Sequence, residues 1–262
     1  MSRLHRAYLA PGREWLNGSV TLDERESRHL AKVLRVRMGD EIETFNGRGE
    51  VRLTSVKQVS PKAVELKSTE ERLMVPSSPA FELGVAVPKG KKMDEIVRQA
   101  TEMGATRLVP LVTNRSEGAA DPERWESKRE RWRIAAIEAC KQSGNAFVPE
   151  IEKLLPLQDW LAALSSATFK IVASLESDAL PLRIWLNEGE VAERPKEVAL
   201  LVGPEGDLAP EEYGTARSLG FLPCAFGENV LRVDTAVVCA FAVAKEELQA
   251  YLATQPMNQS DD

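Results

Sequence analysis

The spacing of hydrophobic and polar residues changes near residue 80 of this chain of 262 residues. In the first part, short apolar stretches are separated by the turn signals Gly39-Asp40 and Asn46-Gly47, a pattern typical of strands joined by tight turns. We predict a small β domain with one helix, Asp23–Val33. Its strands are predicted at Ala7–Leu9, Glu41–Phe45, Val51–Val59 and Ala63–Lys67.

In the second part, buried apolar runs alternate with helix signals. One helix has apolar residues three and four positions apart and ends at Gly104, and Asp121-Pro122 is typical of the start of another. Strands are predicted at Phe81–Val87, Arg107–Val112, Phe169–Leu175, Val198–Val202 and Phe221–Phe226. Because strands that alternate with helices form parallel sheets covered on both faces, we predict an α/β fold.

The boundary between the two parts is marked by composition. Glu70–Ala80 contains two prolines and two serines and is predicted to be a linker. We therefore expect one domain at residues 1–73 and a second at 80–254. The polar residues 255–262 are predicted to form a disordered tail.

Two glycine-rich segments in the second part mark the predicted site. Gly203-Pro204-Glu205-Gly206 follows the strand Val198–Val202, and Gly227-Glu228-Asn229 follows Phe221–Phe226. We predict that these strands are neighbours, so that both loops meet at the carboxyl edge of the sheet, where open α/β sheets bind ligands. Glycine lets bare backbone approach a flat ligand, and the apolar side chains nearby are expected to form the walls of the site.

Composition narrows the class of protein. The net charge is −6, which argues mildly against a polyanionic partner, but residues 1–72 contain more Lys and Arg than Asp and Glu. The apolar run Ala236–Ala244 predicts a last helix without a solvated face, and it is far shorter than the roughly 20 residues that span a bilayer. No cleavable apolar segment begins the chain. We expect a cytoplasmic protein with no membrane contact.

Several common types of site are not expected. Cys140, Cys224 and Cys239 are odd in number and lie in apolar or helical settings, which favours reduced, buried thiols over a nucleophile. His5 and His29 are the only histidines, and neither has a cysteine or carboxylate at the spacing of metal ligands, so we predict no metal site and no histidine triad. Glycine motifs that bind dinucleotides or triphosphates do not occur.

The order and separation of these motifs resemble the RsmE family of ribosomal RNA methyltransferases over nearly the whole chain. In the second domain the resemblance rests on Gly203-Pro204-Glu205-Gly206, on the helix start Pro210-Glu211-Glu212 and on the loop that ends in Leu231-Arg232-Val233-Asp234-Thr235-Ala236. In the first domain, HLAKVLRVRMGDEIETFNGRG (29–49) is similar to the family's PUA-like RNA-binding domain.

The resemblance implies a fold, an activity and partners. The second domain is expected to be a SPOUT-type parallel sheet with a deep trefoil knot, in which the C-terminal helix threads through a loop. The first is expected to be a PUA-like β-barrel. The implied activity is methylation of the N-3 position of one uridine in the 16S rRNA of the small ribosomal subunit. The implied cofactor is S-adenosylmethionine, and a homodimer is expected.

The resemblance also implies a cofactor site and a catalytic pair. Arg232 is expected to stabilise negative charge on the uracil oxygens, and Asp234, where the family usually has glutamate, or solvent takes the proton. The alternative for Arg232 is a structural ion pair with Asp234 or Glu205. Asp207 stands where the family usually has glycine, and we expect it to reshape the loop without abolishing binding. The cofactor is expected at Leu175, Leu201, Val202, Gly203, Pro204, Glu205, Gly206, Gly227, Asn229, Val230, Leu231, Thr235 and Ala236.

RNA contacts are expected on both domains. On the predicted first helix, Arg25, Arg28 and Lys32 recur three or four positions apart, which gives either a phosphate-binding stripe or an ordinary solvated face. Lys141 and Asn145 stand where the family commonly has glutamate and arginine, which removes one expected RNA contact. The candidates are Arg6, Arg28, Lys32, Arg35, Lys91, Lys92, Arg115, Gln142 and Ser143.

Two other functions remain open at the level of sequence. A methyltransferase of the same fold could act on another base or on a ribose. A chain that keeps the fold without catalysis would be an RNA-binding assembly factor.

Overall fold

The computed structural model of the protein describes residues 4–90, 92–116, 122–187 and 195–254. The predictions for Lys91, for Asp121 and for the tail at 255–262 lie outside the described residues. The chain forms two compact units, and the first contains Met1–Ser77 together with Ala136–Val148. The second contains Ser78–Ala135 and Pro149–Asp262. No local pattern in the sequence predicted that residues 136–148 belong with the first unit.

The first unit is built on a five-stranded sheet. Its strands are β1 (His5–Tyr8), β2 (Ser19–Thr21), β3 (Glu41–Phe45), β4 (Glu50–Val59) and β5 (Val64–Leu73). They lie in the order β1–β3–β4–β5–β2. The pair β1–β3 is parallel and the other pairs are antiparallel. The strand β2 was not predicted, because three residues are too short to show an alternating pattern.

The predicted helix of the first unit begins as expected and then changes its winding. The Asp23 carboxylate accepts a hydrogen bond from the backbone N–H of Glu26 at 2.8 Å and caps α1 (Glu24–Arg28). The chain continues as a π-helical turn over His29–Leu34. Leu30 in this turn is fully buried with Ile42, Leu66 and the other residues of the core of the unit. The small β domain predicted from the sequence is confirmed.

The second unit contains a sheet in which every strand pair is parallel. Its strands are β6 (Ala80–Ala86), β7 (Arg107–Val112), β8 (Glu150–Ile151), β9 (Leu155–Pro156), β10 (Phe169–Ala173), β11 (Glu197–Val202) and β12 (Leu222–Cys224). They lie in the order β12–β10–β11–β6–β7–β8, and β9 also pairs with β7. The predicted parallel α/β architecture is confirmed.

Among the described residues, the helices after α1 are α2 (Lys92–Glu102), α3 (Pro122–Ser143), α4 (Leu157–Ala163), α5 (Leu182–Asn187), α6 (Pro210–Ser218) and α7 (Val233–Thr254). Of these, α3 and α7 are the long ones. Each of the six contributes buried side chains, which include Ile96, Trp132, Trp160, Leu182, Tyr213 and Phe241.

The prediction that the two strands before the glycine-rich loops are adjacent in the sheet is wrong. β11 and β12 are not adjacent, because β10 lies between them and pairs with both. Strand order in a parallel sheet depends on where each crossover returns to the sheet, and no local pattern in the sequence records this. As a result, three strand ends rather than two meet at the predicted site.

The last helix, α7, packs against α2, α5 and β11. Val237, Phe241 and Ala244 are fully buried, whereas Ala242 is exposed and Val238 is half-buried. The prediction of a helix without a solvated face is therefore wrong for the single chain, which leaves part of an apolar face uncovered. Across the described ranges, no helix is long and apolar enough to cross a bilayer.

Candidate functional site

A cleft lies at the carboxyl edge of the sheet, where the loops after β10, β11 and β12 meet the start of α7. Its cavity volume is about 80 Å³, and the cleft is partly open to solvent. Both polar and apolar residues line it. Its lining residues are Ala173, Ser174, Leu175, Val202, Gly203, Pro204, Glu205, Asp207, Phe226, Gly227, Asn229, Val230, Leu231, Val233 and Ala236.

Most of the residues predicted to bind a cofactor line this cleft, and three do not. Leu201 is fully buried in the core beneath it. Thr235 is exposed in the first turn of α7, and Gly206 faces Arg115. The predicted set lacked Ala173, Ser174, Phe226 and Val233, and it treated Asp207 only as a residue that shapes the loop. Ala173 ends β10 and Ser174 follows it, and only the position of that strand in the sheet brings them here.

The glycines of the two loops have different roles. A Cβ atom on Gly203 would lie 3.2 Å from Cγ of Leu208 and 3.3 Å from its backbone nitrogen, so this glycine allows the loop to fold closely on itself. Gly206 has more room, with 3.6 Å to the nearest atom of Arg115. Gly227 has φ +110°, a conformation that side chains rarely adopt. The close approach predicted at Gly203 is to the protein's own Leu208.

Two cations hold the loop after β11. Lys92, at the start of α2, places Nζ 3.0 Å from Oε1 of Glu205. Arg115, in the loop after β7, donates from Nη1 to the carbonyl oxygen of Gly206 at 2.8 Å. Burial raises the pKa of Glu205, but Lys92 and the backbone N–H groups of Glu205 and Lys89 together lower it below its ordinary value. Both cations, predicted as RNA contacts, thus already have partners in this loop.

Glu212, in the first turn of α6, is a buried carboxylate that connects two loops. Its Oε2 accepts from the backbone N–H of Ala209 at 2.8 Å, and its Oε1 accepts from Asn114 at 2.7 Å. It is 6% exposed. The sequence showed Glu212 only as an acidic residue at a helix start, and its bond to Asn114 could not be predicted from its position in the chain.

Arg232 and Asp234 stand at the start of α7, beside the cleft. Arg232 is exposed, and among the described residues its guanidinium forms no ion pair. The alternative in which Arg232 pairs with Glu205 or Asp234 is therefore wrong for this part of the chain, since Glu205 pairs with Lys92. Oδ1 of Asp234 is buried and has no hydrogen-bond partner among the described residues. A cation and an unsatisfied carboxylate oxygen thus lie two residues apart.

The structure corrects the assignment of Arg6 to RNA contact. Its side chain is enclosed in the first unit, with 6% exposure. Nε lies 2.7 Å from Oε1 of Glu43, and Nη1 donates to the carbonyl oxygens of Cys140 and Asn145 at 2.5 and 3.0 Å. The guanidinium also lies 4.4 Å from the centre of the Phe45 ring. Arg6 holds residues 140–145 within this unit and is not at the surface.

The other candidates on the first unit are at or near its surface. Arg28, Lys32, Arg35 and Gln142 are exposed, and Arg28 forms an ion pair with Glu24. Ser143 is half-buried, and its hydroxyl accepts from the backbone N–H of Asn145 at 3.2 Å. These residues stay predictions for RNA contact.

The departure at Lys141 has a structural explanation. Its Nζ lies 2.6 Å from Oε1 of Glu26, and both side chains are buried. Oε2 of Glu26 accepts from the backbone N–H of Tyr8 at 3.1 Å. A buried carboxylate without a cation is unfavourable, so Lys141 serves the packing of the first unit.

The three cysteines are free thiols, as predicted. The prediction that they are buried is confirmed for Cys140 and Cys224, whereas Cys239 is half-buried. Burial raises the pKa of Cys224 to about 12, and it raises that of Cys140 to about 12 against the opposing charge of Arg6. Because the thiolate is the reactive form, these two are poor nucleophiles.

Comparison with known proteins matches both parts of the chain. Residues 76–245 match a family model described as an RNA methyltransferase domain. Residues 22–67 match a model described as an RNA methyltransferase PUA domain. Ribosomal RNA small subunit methyltransferase E of Bacillus subtilis is 30% identical over 224 residues, which cover 83% of this chain and 86% of that protein. The enzyme of the same name from Synechocystis is 28% identical and covers 91% of this chain and 76% of its own length.

A solved structure extends the comparison to three dimensions. The crystal structure of a ribosomal RNA small subunit methyltransferase E from Neisseria gonorrhoeae bound to S-adenosyl methionine superposes with a TM-score of 0.81. Its sequence is 28% identical, and the alignment covers 93% of this chain and 97% of that one. The likeness therefore includes both the sequence and the fold.

Proposed function

The chain belongs to the RNA methyltransferase family that contains ribosomal RNA small subunit methyltransferase E, and on this premise we propose that it methylates the N-3 position of one uridine in 16S rRNA. The donor is S-adenosylmethionine. The observation that carries the proposal is the cleft lined by both polar and apolar residues at the ends of β10, β11 and β12, beside the exposed cation Arg232. A site of this kind can hold a small cofactor and presents a positive charge to the uracil that accepts the methyl group.

The residues of the cleft fit the proposed cofactor. Val202, Leu231 and Ala236 give apolar surface, while the backbone of the glycine-containing loops offers amide and carbonyl groups to the edge of an adenine. Gly227 adds no side chain to the cleft. When bound, S-adenosylmethionine supplies an electrophilic methyl group on its sulfonium. The protein then has mainly to align donor and acceptor.

The exposed Arg232 is the proposed partner of the acceptor. Methylation at N-3 requires loss of the N-3 proton, and the resulting negative charge spreads to the uracil carbonyl oxygens. A guanidinium beside the acceptor stabilises that charge where it develops. The buried Oδ1 of Asp234, which has no hydrogen-bond partner within the described ranges, is available to a hydrogen bond donor, and either this carboxylate or solvent takes the proton.

RNA contact is proposed for the cations of the first unit. Arg28, Lys32 and Arg35 are exposed around the first helix and its π-helical turn. Such cations neutralise phosphates and orient the RNA without reading bases. A uridine must be unstacked before its N-3 edge can react, so the proposed target lies in single-stranded or distorted RNA.

We also propose the finer features that the family resemblance implies. These are a trefoil knot in which α7 threads through a loop, a homodimer, and action in the cytoplasm. The apolar face of α7 that includes Ala242 supports the dimer, since apolar surface left open by one chain can be covered by a second.

The direct test is a mass map of modified nucleotides in small-subunit rRNA. Deletion of the gene is expected to remove one methyl group from one uridine, and expression of the wild-type chain is expected to restore it. Loss of a methyl group from another base or from a ribose would support a methyltransferase activity and reject the assignment of that activity to N-3 of uridine. An unchanged map would contradict the proposed activity on 16S rRNA and favour a non-catalytic assembly factor.

A further inference from the structure

Tyr213 connects two segments of the cleft. Its side chain is 3% exposed and belongs to the core beneath the site. Its hydroxyl lies 2.7 Å from Oδ1 of Asp207 and 3.4 Å from the carbonyl oxygen of Ala173. Ala173 ends β10, whereas Asp207 lies in the loop after β11, and both line the cleft. One buried hydroxyl therefore touches two of the three chain segments that form the site.

The hydrogen bond to Asp207 is the strong one of the two. A tyrosine hydroxyl has a single proton, and the carboxylate is both nearer and charged, so the proton is directed to Asp207. Burial raises the pKa of Tyr213, and Asp207 raises it further, while Ser174 and the backbone of Leu175 act in the opposite direction. The hydroxyl is therefore protonated at neutral pH, where it donates to Asp207.

Asp207 is itself held in an unusual backbone conformation. Its φ is +62°, in the left-handed region that only glycine, asparagine and aspartate adopt with ease. Its backbone N–H donates to the carbonyl oxygen of Pro204 at 2.9 Å, which closes a turn. Its Oδ1 also accepts from the backbone N–H of Leu208 at 2.8 Å. The carboxylate thus fixes its own loop and receives the bond from Tyr213.

We propose that the Tyr213–Asp207 hydrogen bond is a positioning device for S-adenosylmethionine, which holds the loop after β11 against the end of β10 so that the cleft is formed before the cofactor binds. This inference rests on the proposed function, since it takes the cleft as the cofactor site. Without the bond, part of the binding free energy is used to order the loop. The loss of binding free energy is the same in the ground state and in the transition state, so KM rises while kcat changes little.

The test is cofactor binding by three variants of the full-length protein. Tyr213→Phe removes one hydroxyl and keeps the ring in the core. Its Kd for S-adenosylmethionine, measured by calorimetry, is expected to rise about tenfold, with a parallel rise in KM and a change in kcat below about twofold. Asp207→Gly introduces a residue that tolerates the left-handed backbone conformation, and it is expected to change Kd, KM and kcat as Tyr213→Phe does. Asp207→Asn retains an oxygen acceptor and is expected to bind nearly as tightly as the wild type.

A double variant and a matched control separate positioning from general damage. In the Asp207→Gly background, Tyr213→Phe is expected to have little further effect, because residues that act through one bond are not additive. Thr215→Val removes another hydroxyl of α6, which donates to the carbonyl oxygen of Glu211 at 2.8 Å and does not line the cleft. It is expected to leave Kd unchanged.

The failures are distinguishable. The inference is overturned, while the proposed function stands, if Tyr213→Phe binds S-adenosylmethionine as tightly as the wild type. The same holds if Tyr213→Phe weakens binding equally in the wild-type and Asp207→Gly backgrounds. If the wild type gives no heat with S-adenosylmethionine, the proposed cofactor site itself is rejected. Thermal unfolding without cofactor identifies a variant that is only destabilised. In that event the Kd values of Asp207→Asn and Asp207→Gly are compared, because both variants lack the carboxylate charge and only Asp207→Gly lacks the acceptor oxygen. Equal Kd values for these two variants would overturn the inference.

Discussion

Nζ of Lys92 lies 3.0 Å from Oε1 of Glu205, and this ion pair joins the start of α2 to the loop that forms one wall of the cleft. Lys92 was a candidate for RNA phosphate and Glu205 for the cofactor. Their pairing means that each charge partly neutralises the other, so neither acts alone on a ligand. The pair is half-exposed, and its contribution to stability is that of a surface ion pair, which is small.

The pair makes a small part of the stability depend on pH. The folded-state pKa of Glu205 is below its ordinary value of 4.5, so its contribution is present above pH 4.5 and is lost as the pH falls through the lower folded-state value. We expect Glu205→Gln to lower the free energy of unfolding at pH 6 and to have less effect as the pH falls below 4.5. Urea unfolding across this range measures the difference. In a Lys92→Met background the difference should be nearly independent of pH, and an unchanged pH dependence there would contradict the assignment to this pair.

The bond network of Glu212 predicts a larger effect on stability. Glu212→Ala leaves the buried backbone N–H of Ala209 and the partly buried N–H of Asn114 without their acceptor, and loss of hydrogen bonds to a charged group costs about 2–3 kcal/mol. The exposed neighbour Glu211 is a matched control, for which substitution by alanine is expected to change stability by less than about 0.5 kcal/mol. Equal effects of the two substitutions on the denaturation midpoint would refute the bridging role.

The sequence predicted the local elements of the site because their signals are local. The apolar run Val198–Val202 ends at a Gly-Pro pair, and Pro210 begins α6 as expected. The place of β10 between β11 and β12 could not be predicted, since it depends on how the chain crosses over the sheet. For the same reason, the residues at the end of β10 were missed in part.

Charged residues show the same limit. A cation in a sequence gives no sign of whether it faces water or a buried acid. Arg6 is enclosed with Glu43 and Lys141 with Glu26, although Arg6 itself and Gln142, the neighbour of Lys141, were expected to contact RNA. Only the tertiary structure assigns these partners.

The two glycines of the first loop give a paired prediction. A methyl group on Gly203 would meet the backbone of Leu208 at 3.3 Å, whereas one on Gly206 would have ordinary contacts at 3.6 Å or more. We expect Gly203→Ala to shift the loop and to raise the Kd for S-adenosylmethionine about tenfold, and Gly206→Ala to change it by less than about threefold. Calorimetry on both variants measures this. The steric account fails if Gly206→Ala is the more harmful change.

Arg232 gives the prediction that separates catalysis from binding. Its guanidinium is exposed and, among the described residues, has no ion pair, so its removal leaves no buried charge behind and the fold is expected to persist. If it stabilises the charge on the uracil oxygens, Arg232→Ala should lower kcat on small-subunit rRNA about a hundredfold or more, while the Kd for S-adenosylmethionine stays within about twofold of the wild type.

The matched control for this change is Arg98→Ala. Arg98 is an exposed arginine on α2 that pairs with Glu95 and does not line the cleft, so its removal is expected to leave both quantities unchanged. Methyl transfer from labelled S-adenosylmethionine to rRNA measures kcat, and calorimetry measures Kd. A variant Arg232→Ala that methylates at the normal rate would remove this residue from the mechanism. Equal loss of cofactor binding and of rate would instead place the guanidinium in the cofactor site.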